Sequence, residues 1–116
     1  MNKNINKLNA IIIYCDKTKD VMEEYGKDIE DFLESIAYQE RCSFYLLQIG
    51  ENVRTLSEEL KKGYPETEWD NIRKIRNEIA HTYNWVDKEL MWSTITEKLP
   101  KLKETCKNIL YELERH

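Results

Sequence analysis

Asp70 to Trp85 reads Asp-Asn-Ile-Arg-Lys-Ile-Arg-Asn-Glu-Ile-Ala-His-Thr-Tyr-Asn-Trp, and the spacing of its apolar residues predicts a helix. Set at about 100° intervals, Trp69, Ile72, Ile75, Ile79, Ala80 and Tyr83 form one continuous arc. Arg76 falls inside that arc. A guanidinium keeps its proton, so an arginine among core positions must find a carboxylate, a carbonyl or a partner chain, or reach out past its neighbours. Asn77 and His81, four residues apart, share an adjoining face with Arg73 beside them. Arg76 and His81 stand about 140° apart on an ideal helix, too far for a local pair but able to meet on a ligand at a helix edge. A second copy across a two-fold axis would close such a site.

Upstream, Asn4 to about Tyr25 reads as a first helix, with Ile5, Leu8, Ile12, Cys15 and Met22 on one stripe and Ile11, Tyr14, Thr18 and Val21 beside it. Gly26 is its stop. Asp28 can cap a short segment containing Phe32 and Leu33, and Ser35 can cap the next helix. That second long helix is expected from about Ser35 to Lys62, where Cys42, Leu46, Ile49, Val53, Leu56 and Leu60 advance by fours and threes. Phe44, Tyr45 and Leu47 lie off that seam and point to a second contact surface. Gly50, in mid-helix, costs about 1 kcal/mol relative to alanine, which suits a place where another backbone comes close. Glu51 follows it and is a candidate ion-pair partner for Arg76; a solvent-facing Glu is the other reading.

Gly63, Tyr64 and Pro65 form the turn into the motif helix, with Thr67 and Asp70 near its start. Asp87 caps a final helical region carrying Met91, Ile95, Leu99, Leu102, Cys106, Ile109 and Leu113. Pro100 must kink or break it. The fold class is therefore all-α, an antiparallel bundle of four to five helices, and 116 residues make one domain, 1–116.

Composition narrows the function. Charged residues are 34%, and only three Gly and two Pro interrupt the chain, so a compact helical protein is expected. A net charge of −4 argues against a broad nucleic-acid surface, leaving at most a local basic patch. Cys15, Cys42 and Cys106 are odd in number and fall on inward faces, consistent with reduced core thiols; no metal-ligand spacing occurs. The polar N-terminus and the short apolar run from Ala10 to Cys15 predict neither a signal peptide nor a membrane span, and hence a cytoplasmic protein.

Arg76-Asn77, three further residues, His81, one residue and Tyr83 resemble the signature of the HEPN superfamily, and more narrowly the HepT ribonuclease toxins of type VII HepT/MntA toxin–antitoxin systems. Ile49-Gly50-Glu51, Pro65 and Trp69 upstream, with Trp92 and Leu99-Pro100 downstream, extend the resemblance over roughly Gln39 to Leu113. It implies a homodimeric, metal-independent endoribonuclease with no cofactor and with Arg76 and His81 at the dimer cleft. It also implies a partner, an MntA-like minimal nucleotidyltransferase antitoxin that transfers AMP to Tyr83. The wheel places Tyr83 in the apolar arc, whereas a modifiable hydroxyl must reach solvent, so the helix should end or bend before it.

The chemistry of the motif can be written without a metal. RNA carries its own nucleophile, the 2′-hydroxyl, and cleavage needs a base near it, a cation on the phosphate and a proton for the leaving oxygen. Histidine is the residue type suited to proton transfer near neutrality, which assigns His81 as general acid/base. Arg76 would hold the scissile phosphate, with Asn77 and Arg73 supporting. The other histidine, His116, is the terminal residue. Read without the surrounding matches, Arg76 is a structural arginine paired inside the bundle and His81 a helix-end residue favoured by the dipole. Among functional readings, the alternative to a ribonuclease is a non-catalytic HEPN module that presents a nucleotide or substrate to a separate nucleotidyltransferase.

Overall fold

The four amphipathic patterns are helical, the second and the last of them interrupted, in the computed structural model, which describes residues 2–82 and 86–115, with Thr82 as backbone alone. The first, α1 (Lys3–Tyr25), begins where the Asn2 side chain accepts from the Asn4 amide. It buries Leu8, Ile11, Cys15, Thr18 and Val21. Thr18 is tolerated inside because its hydroxyl donates to the Tyr14 carbonyl at 2.8 Å. Gly26 ends the helix at φ 128°, a backbone conformation that side chains disfavour, and its amide donates to Met22 O.

The short α2 (Ile29–Leu33) drops Phe32 into the core beside Tyr38 and Trp92, the ring centroids lying 5.1 and 5.5 Å away. Ser35 then caps α3 (Ile36–Thr55) by accepting from the Tyr38 amide at 3.1 Å. The expected single helix from Ser35 to Lys62 is in fact two. Leu56 turns to extended backbone, and Ser57 starts α4 (Glu58–Lys62) by accepting from the Leu60 amide. Lys61 folds back over this corner and donates to Val53 O at 3.1 Å, a carbonyl that also accepts from the Leu56 amide at 3.3 Å where α3 ends. The first turn of α1 stitches the same corner. Asn4 exchanges hydrogen bonds with Ser57, and Lys7 donates to Thr55 O at 2.7 Å.

The motif stretch is helix α5 (Trp69–Thr82). Trp69, Ile72, Ile75 and Ile79 are buried as the arc requires, whereas Ala80, assigned to the same arc, is exposed. Tyr83 and Trp85 lie outside the described residues. Asp87 caps α6 (Lys88–Ser93) by accepting from the amides of Glu89 and Leu90. A π-helical turn, Thr94–Lys98, comes next, in which the Leu99 amide donates to Thr94 O; α7 (Leu99–Glu114) then starts with Pro100 in its first turn. The predicted disturbance at Pro100 takes this form.

Helix α1 packs on α3 and α7, and α3 packs on α5. The fold is thus an all-α antiparallel bundle, with four long helices and three short ones at its corners among the described residues. No described helix is long and apolar enough to cross a membrane.

All three cysteines are buried and unpaired, and burial pushes each thiol up to about 12. The thiolate is the reactive form, so raising the pKa removes what little remains near pH 8. A disulfide-exchange reagent added to the native protein at pH 8 is therefore expected to report no rapidly reacting thiol, and three after denaturation. A fast native thiol would contradict this packing.

Candidate active site

Helices α3 and α5 meet where Gly50 faces Arg76. A Cβ added to Gly50 would overlap the Cβ and Cγ of Arg76. The missing side chain therefore makes the channel through which the arginine stem leaves the interior. This resolves the charge placed in an apolar arc: the stem is packed, and the head emerges at the α3–α5 edge with the side chain 26% exposed.

Two groups hold that head. Arg76 Nη2 lies 3.1 Å from Glu51 Oε2, and Nη1 donates to Asn77 Oδ1 at 3.1 Å. Arg76 Nε is buried and has no acceptor among the described residues. A buried donor left unpaired costs about 1–3 kcal/mol, so the guanidinium is anchored without being saturated. Glu51 is shared. Arg54, one turn further along α3, grips it through Nε at 3.0 Å and Nη2 at 2.6 Å. The Arg54 hydrogen bonds first, and the nearby Arg76 charge after them, hold the Glu51 carboxyl below the usual carboxylate range.

The other motif residues occupy the solvent side of α5. Asn77 and His81 are both exposed, four residues apart, with His81 in the last turn, where the helix dipole favours positive charge. Arg73 is exposed one turn before Asn77, with its Nη2 3.1 Å from Asp70 Oδ1. The structure thus brings Glu51, Arg76 and Asn77 into direct contact, sets Arg73 and His81 on either side along one helix, and leaves Tyr83 undescribed.

Sequence reading missed Arg54. Its signal was available in the three-residue spacing from Glu51, which places both side chains on one face of α3. The same flank carries exposed apolar surface. Phe44, seven residues before Glu51 and so on its side of the helix, is 52% exposed, and Ile36 is 73% exposed. Among the described residues, no three His, Cys, Asp or Glu side chains come together as metal ligands.

A family model described as HepT-like, ribonuclease HepT-like, matches residues 7–109. A Thermococcus cleftensis protein named "Probable ribonuclease HepT" is 31% identical over 86 residues, 72% of this chain and 78% of its own. A Methanocaldococcus jannaschii protein named "Gamma-glutamylcyclotransferase and putative RNase" is 30% identical over 99 residues. That match takes in 84% of this chain but only 45% of the relative, so the chain spans less than half of that longer protein. No solved structure matches.

Proposed function

Because the chain belongs to the HepT-like ribonuclease family, we propose that it is a metal-independent endoribonuclease that cuts RNA at Arg76 and His81. The observation that carries this reading is the arginine itself. Its stem is wedged over Gly50 and its head is delivered to the solvent edge of α5, beside Asn77 and on the helix that presents His81.

In this reading Arg76 binds the non-bridging oxygens of the scissile phosphate, with its forked donors matched to the oxygens on which charge develops. Asn77 orients that guanidinium, and Arg73 receives a neighbouring phosphate. His81 takes the proton of the 2′-hydroxyl as the oxygen attacks phosphorus. The bond from phosphorus to the 5′-oxygen breaks, and that oxygen leaves with a proton. The products are a 2′,3′-cyclic phosphate and a 5′-hydroxyl. The one motif histidine of each chain serves one transfer at a time, so a homodimer supplies base and acid together, the second proton coming from the partner subunit's His81. Exposed Phe44 on the Glu51 side of α3 leaves an apolar side chain available for such a contact.

The same reading makes the protein a cytoplasmic toxin. Its partner is an MntA-like nucleotidyltransferase antitoxin that places AMP on Tyr83, two residues from His81 in sequence. A phosphodiester and a purine there would compete with RNA for Arg76 by charge and by bulk.

The test is cleavage of an RNA oligonucleotide by the purified chain in excess chelator. Fragments ending in 2′,3′-cyclic phosphate are expected, with none from an oligonucleotide carrying 2′-deoxyribose at the cut position. RNA that is bound but left intact would favour the non-catalytic module that presents a ligand to a nucleotidyltransferase. Cleavage only on adding a divalent ion would overturn the metal-free mechanism.

A further inference from the structure

Arg54 lies outside the motif, yet it makes the tightest contact near Arg76. It holds both oxygens of Glu51, at 3.0 and 2.6 Å, whereas Arg76 reaches Glu51 by one contact at 3.1 Å, on the oxygen that Arg54 Nε already occupies. Arg76 is also the less satisfied of the two, with Nε buried and lacking an acceptor among the described residues. The charge that brings Arg76 to the edge of the bundle is therefore a carboxylate already engaged by a different arginine.

Such an arrangement matters for any anion that must bind Arg76. A carboxylate with both oxygens free pairs with a guanidinium through two parallel hydrogen bonds, the same geometry a phosphate uses, and so competes with it directly. Left uncompensated, it also repels the phosphate. Arg54 removes both obstacles by turning the carboxylate toward itself. On this edge of α5, Arg73 and Asp70 are paired with each other at 3.1 Å.

Resting on the reading of Arg76 as the phosphate ligand, we propose that Arg54 is a positioning residue for RNA binding. It keeps Glu51 engaged, so that Arg76 can release Glu51 and take an RNA phosphate. Arg54 itself does not touch the substrate. Loss of Arg54 lets Glu51 close on Arg76 and hold it against the RNA.

The test uses the full chain, a 2′-O-methyl RNA oligonucleotide for binding and the unmodified oligonucleotide for cleavage. Arg54→Gln is expected to weaken binding roughly three- to five-fold, the scale of a half-exposed ion pair, and to raise KM by the same factor with kcat within about twofold of wild type. Arg54→Gln combined with Glu51→Gln is expected to restore affinity to within about twofold of wild type, because the competing carboxylate is gone. Arg54→Lys, which keeps the charge but loses the two-pronged grip, should fall between, and it serves as the readout should Arg54→Gln fail to fold.

Unchanged affinity in Arg54→Gln would overturn the proposal. So would a double variant as weak as the single one, which would make Arg54 a direct RNA contact. A wild-type chain that neither binds nor cuts RNA would instead defeat the assignment of Arg76, and this proposal with it.

Discussion

His81→Ala is expected to lower the rate of RNA cleavage about 10²- to 10⁴-fold, the span over which a positioned proton-transfer group contributes. The loss should fall on kcat. His81 is exposed at the end of α5, whereas Arg76, which would carry the phosphate, is held separately by Gly50, Glu51 and Asn77. Binding of an uncleavable RNA should therefore stay within about twofold of wild type, since an interaction made only in the transition state leaves ground-state affinity alone. Growth arrest on expression in a bacterial host should disappear with the same substitution. Wild-type rates from the His81→Ala protein would remove the histidine from the mechanism. A large loss of RNA binding would instead give it a ligand-holding role.

Gly50→Ala is expected to damage stability and cleavage together. Alanine recovers about 1 kcal/mol of helix propensity, but its Cβ needs the space filled by Arg76 Cβ and Cγ, atoms close to the backbone that cannot swing aside as a flexible tip can. Overpacking of this kind costs about 1–3 kcal/mol or more. With α3 and α5 forced apart, the balance should be a net loss of roughly 1–2 kcal/mol and a melting temperature lower by about 4–12 °C. Cleavage should fall further than unfolding accounts for, because displacing a reacting group by about 1 Å can cost on the order of 10²-fold. Circular dichroism melts, with cleavage measured well below the lowered transition, separate the two effects. An unaltered melting curve would mean the helices do not meet as closely as the structure has them.

How far the chain could be read without coordinates depends on how local each signal is. Helix ends at Gly26, Asp28, Ser35 and Asp87 were legible because a cap acts within four residues of itself. The division between α3 and α4 was hidden by a seam that does not stop. Leu56 and Leu60 continue the apolar spacing across the break, so periodicity carries straight through a corner that Ser57 makes. Ser57 followed by Glu58 and Glu59 is a helix start in its own right, and weighing it against the periodicity would have revealed the corner. Ala80 was misplaced for a different reason. It sits at the margin of the arc, and a single methyl has little to gain from burial, so packing does not dictate its side.

The candidate site divides in the same way. A charge in an apolar arc and a glycine in mid-helix were both visible as anomalies in separate segments, Arg76 and Gly50. That each explains the other requires knowing that the two helices cross at those positions, which is tertiary information. The role of Arg54 needs more still, since it depends on the pose of Glu51 between two arginines.

The wide turn at Thr94–Lys98 has a consequence for the whole distal wall of the bundle. In ordinary winding, Met91, Ile95 and Leu99 would advance around the axis by roughly 40° at each step of four. A slower-winding segment placed among them holds that advance back, and all three are buried, with Leu102, Cys106 and Ile109 continuing inward beyond them. It also gives Pro100 a place in the ladder where a skipped bond is already built in. The length of this stretch is consequently as constrained as its composition: shortening it by one residue would rotate everything from Leu99 onward out of phase with α1.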